Sequence, residues 1–174
     1  MTAATGWEGI LDTGETILWQ GRPDGAVKWK IVHIFTFLFG LAFAGFALFW
    51  MIMAAQAGGG FWMFGLIHFS VGISIAVGPP FWNAWRRRHT WYTLSDRRAF
   101  IATDLPLRGR RLKSYPITDD TVLDFDRGDP ATIYFDHEMR RTKNGSRRVD
   151  IGFERIEDGA EVYALFRKIQ KGAA

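Results

Sequence analysis

The stretch Phe81–Phe100, FWNAWRRRHTWYTLSDRRAF, contains an abrupt change of character. An apolar run ends in Trp82 and Trp85. Three consecutive arginines follow, Arg86, Arg87 and Arg88, and then a β-branched and aromatic segment begins at Thr90. Apolar residues with interfacial indoles and a basic stop suit the end of a membrane span. A strand directly after it suits the start of a water-soluble domain.

Working outward from that boundary, two uncharged runs precede it. Ile31–Met53 and Phe61–Trp82 are each long enough to cross a hydrocarbon core of about 30 Å as a helix. AAQAGGG joins them and predicts a helical hairpin. Two core helices of a soluble domain are the alternative, and two adjacent uncharged runs of this length argue against it. Trp29, Trp50, Trp62, Trp82 and Trp85 fall at the ends of the runs, where indoles favour headgroup depth. Arg22, Lys28 and Lys30 precede the first span and Arg86–Arg88 follow the second, while the connecting loop has no cation. That asymmetry predicts both termini in the cytoplasm and the Gly58–Gly60 turn outside it, with Arg86, Arg87 and Arg88 also placed to hold anionic lipid headgroups. The first residues lack a basic segment followed by an apolar one, so no signal peptide is expected.

Small residues recur at four-residue spacing within the spans: Gly40 and Ala44, Ser70 and Ser74, Gly72 and Ala76. Such faces let helices approach closely in lipid. They fit packing of the hairpin on itself or docking of another membrane subunit. Gly78-Pro79-Pro80 is expected to kink or end the second helix. His33 and His68 lie roughly ten residues apart in depth, about 15 Å along the membrane normal, which argues against a shared haem. His68 alone stays a candidate for contact with a partner or its cofactor.

After His89 the period becomes that of strands. TWYTLSD, RRAFIATD, RRLKSYPI, TVLDFD, ATIYFDHEMRR and SRRVDIGFE read as six short strands, with a hairpin at Asn144-Gly145. Val162, Leu165, Phe166 and Ile169 then repeat at helical spacing. Asp158 and Glu161 fit a capping box, and Lys168 and Lys171 suit the helix end. The expected organisation is α+β: a cytoplasmic segment 1–28, a transmembrane hairpin 29–85, and a cytoplasmic domain 86–174 of antiparallel strands closed by a helix.

The residues offer little chemistry. Cysteine is absent, which excludes disulfides, thiolate metal sites and a cysteine nucleophile. Asp124, Asp126 and Asp129 do not keep the spacing of a calcium loop. AGGGF lacks the lysine of a phosphate loop, His137 with Glu138 lacks a second half, and His89 and Ser95 suggest no hydrolytic triad. No catalytic residue, cofactor or metal site is expected. Charge says more: from Arg86 onward there are 19 Lys and Arg against 14 Asp and Glu. Arg97, Arg98, Arg108, Arg110 and Arg111 are candidates for contact with lipid or a partner. They also fit the plainer duty of keeping strand edges apart. Nucleic acid is not expected, because acids are interspersed throughout.

Two segments carry a resemblance. LDTGETILWQGRPDG, Leu11–Gly25, has the Gly-Glu form found ahead of the spans in the bacterial pleckstrin-homology-like membrane proteins. Tyr92, Leu94, Ser95, Asp96, Arg97 and Arg98 match the motif that opens their domain, with serine where threonine is usual. The chain resembles the two-span members of that group. The resemblance implies a transmembrane hairpin bearing a pleckstrin-homology-like antiparallel barrel or sheet capped by a C-terminal helix, in the bacterial inner membrane. It implies a binding or scaffold role and no enzyme. Expected partners are membrane lipids and a membrane protein or a second copy. The alternative is an accessory subunit of a larger respiratory, photosynthetic or transport complex, docked through the hairpin at Gly40, Ala44, Gly72 and Ala76.

Overall fold

A computed structural model describes residues 6–29, 31–106, 109–142 and 145–172. In chain order the elements are β1 (Ile17–Gly21), α1 (Ile31–Gln56), a 3-10 turn at Phe61–Met63, α2 (Phe64–Arg88), β2 (Thr90–Ser95), β3 (Arg98–Leu105), β4 (Gly109–Pro116), β5 (Asp124–Asp126), β6 (Ala131–Thr142), β7 (Gly145–Ile156) and α3 (Gly159–Gln170). The chain divides into two units. One holds the residues up to Asp24 together with those from Arg87 onward; the other is Gly25–Arg86.

The helical unit is an apolar pair. Both helices are long and apolar enough to cross a membrane, and most of their apolar side chains face outward, Phe35, Phe46, Ile67 and Phe81 among them. Where α1 and α2 meet, the residues are small. Gly40, Ala44 and Ala47 of α1 are buried, as are Gly72 and Ala76 of α2. A Cβ on Gly40 would lie 2.5 Å from the Ala76 backbone nitrogen, and one on Gly72 would lie 2.7 Å from that of Ala44. Glycine is therefore what lets the two backbones touch. Gly78-Pro79-Pro80 does not end α2, which continues to Arg88. A proline ring already has a helical φ, and Gly78 in front presents no Cβ to clash with it. The helix therefore loses donors but continues. α1 runs past Met53 to Gln56, which shortens the loop, and Gly58 and Gly59 make the reversal at positive φ.

Among the described residues the other unit contains seven strands rather than six. The seventh, β1, comes from the segment read as a separate N-terminal stretch. The four-stranded sheet has the order β1-β2-β3-β4 and the three-stranded sheet β5-β6-β7, every pair antiparallel. The helical unit is thus an insertion between two neighbouring strands of one sheet: the chain leaves at Gly21 and returns to pair Tyr92 with that same Gly21. The signal for β1, ILWQG, is only five residues long and lies across that insertion from its partner. β5 is shorter than TVLDFD suggested. Thr142 faces Gly145 at φ +123, while Asn144 of the expected turn lies outside the described residues.

Both sheets and α3 share one core. Phe153, fully buried, is its hub: its ring lies 4.7 Å from Tyr92, 5.3 Å from Phe135, 5.5 Å from Trp19 and 5.6 Å from Phe166. The stripe on α3 is Val162, Phe166 and Ile169, all buried, with Leu165 partly so. Asp158 occupies the position before the helix, but its side chain makes no capping bond, so the predicted box does not form. Packing of the stripe, rather than the cap, holds α3 in place.

The two glycine environments in α1 give a direct contrast. Gly40→Ala, forced against the α2 backbone, is expected to lower stability in detergent by about 1–3 kcal/mol. Gly45→Ala, where a Cβ meets nothing within 4 Å, is expected to be neutral or to raise it by up to about 1 kcal/mol. Thermal melting of the two purified variants checks the difference.

Candidate functional site

The geometry begins with a buried carboxylate. Glu15 precedes β1, and its side chain is fully enclosed. It accepts hydrogen bonds from the Ser95 hydroxyl, from the Arg98 guanidinium through both Nε and Nη2, and from the Asp12 backbone N–H at 2.8 Å. Ser95 Oγ in turn accepts from the Arg98 and Arg97 backbone N–H groups at 2.9 and 3.2 Å, closing the turn between β2 and β3. Asp96 and Thr16 exchange two further bonds beside it. A carboxylate cannot be buried cheaply unless its lone pairs are satisfied. Burial pushes the Glu15 carboxyl up, but the bonds from Arg98, Ser95 and Asp12 outweigh it and bring it down to about 2. The two motifs that carried the family resemblance, Gly14-Glu15 and Ser95–Arg98, meet here.

A second clasp holds the other end of the arm, the segment Glu15–Asp24 that contains β1. Asp24 forms an ion pair with Arg155, and its backbone N–H donates to the Arg155 carbonyl at 2.8 Å. Arg87 Nε donates to the Asp24 carbonyl at 2.8 Å. Arg155 holds a positive φ of 54°, a conformation costly for a residue with a side chain.

With the arm fixed at both ends, the outer face of the four-stranded sheet becomes a groove of about 840 Å³. Strand alternation puts Tyr92 and Leu94 into the core and Trp91 and Thr93 outward. Trp7 stands edge-on over Phe100 at 5.2 Å and forms one wall with Ile10. Arg22 stacks over Trp91 at 4.7 Å, a cation–π contact that holds the guanidinium extended. Gln20 donates to Thr93 Oγ1 at 3.2 Å. Arg110, Arg111 and Leu112 of β4 complete the lining. Asp104 is the acid in the groove and is already paired with Arg110 at 3.1 Å. Among the described residues no carboxylate pairs with Arg22 or Arg111, so the groove carries an excess of positive charge.

The opposite sheet mixes both signs: Arg148 pairs with Asp150 at 2.8 Å and Arg140 with Glu138 at 3.6 Å. Asp124, Asp126, Asp150 and Glu154 surround Tyr134, whose hydroxyl is pushed up first by burial and then by these carboxylates. Among the described residues no group of three or more His, Asp or Glu is arranged to hold a metal ion.

The arginines singled out in the sequence thus have different fates. Arg98 is committed to Glu15 and Asp12. Arg87 is buried and turned to the Asp24 carbonyl, whereas Arg86 and Arg88 are exposed. Arg97 is exposed at the turn. Arg110 and Arg111 line the groove, and Arg108 and Lys30 lie outside the described residues. Trp29 and Trp82 are about half exposed; Trp50 and Trp62 are half-buried, Trp50 packing on Phe61 at 5.3 Å; Trp85 stacks with Trp82 at 4.9 Å. Gly40, Ala44, Gly72 and Ala76 come together between α1 and α2. Sequence reasoning missed Glu15, Arg22, Trp91 and Trp7. The Gly-Glu pair was the available signal for the first. No protein-family model, curated protein or solved structure matches this chain.

The depressed Glu15 carboxyl gives a pH signature. Its folded value lies below its unfolded one, so its contribution is complete above the ordinary carboxyl range near 4.5 and is lost as pH falls toward 2. The expected contribution is about 3 kcal/mol at neutral pH. Glu15→Gln should lower the denaturation midpoint at pH 7 and flatten its fall between pH 4.5 and 2, as read by chemical denaturation across that range.

Proposed function

We propose that this chain is a non-enzymatic integral membrane protein. Its helical hairpin crosses the bacterial inner membrane twice and presents a pleckstrin-homology-like docking module at the cytoplasmic face. The observation that carries the reading is the pairing of β1 with β2 across the inserted helices. Strands hydrogen-bonded to each other lie on one side of any bilayer. A span that leaves from Gly21 must therefore be matched by a second that returns to Tyr92, and the insertion holds two helices of sufficient length. The arginines at the end of α2 favour the cytoplasm for that side. Four strands, then three, then a closing helix support the pleckstrin-homology-like assignment. The positive, aromatic-lined groove supports docking of an anionic partner, either a protein or lipid headgroups.

The alternative, an accessory subunit docked through the hairpin, loses its natural contact face. Gly40, Ala44, Gly72 and Ala76 are spent on packing the helices together. A partner would instead meet the outward aromatic side chains.

The absence of native cysteine makes topology easy to test. The chain should remain in the membrane pellet after alkaline carbonate extraction. Ala57→Cys, in the loop between α1 and α2, should react with an impermeant maleimide in intact spheroplasts. Ser146→Cys, on exposed β7, should react only after lysis. Recovery in the carbonate supernatant, or labelling of Ser146→Cys in intact spheroplasts, would overturn the proposal.

A further inference from the structure

β4 is an edge of the four-stranded sheet. It pairs with β3 on one side and with no described strand on the other. Its register with β3 is unbroken from Leu105↔Gly109 to Arg98↔Pro116, with no bulge. Seven of its eight residues are exposed. Such an edge presents a row of unpaired backbone N–H and C=O groups, which proteins usually blunt with a bulge, a proline within the strand, or a cover. Here the proline stands at the very end, Pro116. Lys113, a residue type that often guards edges, is turned to Glu138 of β6 in an ion pair. Tyr115 is likewise held, 5.6 Å from the Phe135 ring. β4 is thus pinned from within and open along its outer side.

The side chains define what could pair with it. Arg110 and Leu112 stand on the face that continues into the groove beside Trp91, and Arg111 lies between them in the strand. Pairing of β4 with β4 of a second copy would bring two sets of Arg110, Arg111 and Lys113 together, which like-charge repulsion opposes. The same cations attract carboxylates. An incoming strand gains main-chain hydrogen bonds along the edge and takes its selectivity from alternate side chains.

We propose that β4 binds an extended segment of a partner protein, in which acidic and apolar residues alternate, by strand addition, with Arg111 selecting the carboxylates on one face and Leu112 and Trp91 receiving the apolar side chains on the other. The inference deepens the docking reading of the strand unit and does not depend on whether the helices cross a membrane. The test uses the full chain in neutral detergent micelles with two fluorescent peptides, five repeats of Glu-Val and five of Lys-Val. The Glu-Val peptide should bind, weaken as salt rises, and exceed the Lys-Val peptide by about tenfold or more. Hydrogen exchange should slow across Gly109–Pro116 when it binds. The variant Arg111→Glu should abolish the preference while keeping the thermal midpoint of the parent, because this side chain is exposed and lies opposite Thr103 rather than an acid. Equal affinity for both peptides, or binding without slowed exchange in β4, overturns the inference. So does protection of β4 by self-association with no peptide present. If neither peptide binds while the chain still resists carbonate extraction, strand addition falls and the anchored-module reading stands.

Discussion

The pairing of β1 with β2 is the constraint on which the rest depends. Ile17–Gly21 has no strand to join until the chain has made both helices and returned. Once joined, it fixes the two ends of the helical insertion to adjacent positions in one sheet. The entropy of closing so long a loop is offset at two places. The Glu15 network closes the far end of the pair, and the Asp24–Arg155–Arg87 clasp closes the near end. Loop-closure cost rises only slowly with length, so a long insertion is tolerated when its stem is held firmly.

The two units are held by different physics. In the strand unit the largest stabilisation comes from burial of aromatic rings around Phe153, which ties both sheets to α3. In the helical unit the outward surface is apolar and the inward surface is small, the reverse of a water-soluble helix pair. Between α1 and α2 cohesion comes from backbone approach at Gly40 and Gly72, where dispersion acts at short range. The same residue type, glycine, reverses the chain at Gly58 and Gly59 for a separate reason, its access to positive φ.

Electrostatics separates structural from available charge. Arg98, half-buried, and Arg87, buried, are directed at fixed acceptors; replacing Arg98 would leave the enclosed Glu15 carboxylate short of its donor. Arg22, Arg110 and Arg111 project into water on one sheet, while the carboxylates around Tyr134 crowd the other. The first sheet carries an excess of positive charge, whereas the second mixes its carboxylates with the exposed Arg140, Arg147 and Arg148. A docking role needs only that excess and a shaped surface, and the groove with its neighbouring open edge supplies both.

Much of the architecture was legible from local pattern. Charge-free runs marked α1 and α2, short strand-like runs between turns marked β2 to β6, alternation marked β7, and the stripe Val162, Leu165, Phe166, Ile169 marked α3. Each of these signals lies within its own element, where the period of the backbone converts sequence directly into a face. β1 was not legible, because five residues of mixed character become a strand only when a partner is supplied from beyond the insertion. Nor was the division among the arginines, since Arg97 and Arg98 are neighbours of one type, and only the approach of Glu15 makes one structural and leaves the other exposed. The sequence by itself determined the two long apolar helices, the locally patterned strands and the closing helix. The tertiary structure decided which strands pair, which charges are consumed and where an edge is left open, because those depend on contacts between residues far apart in the chain.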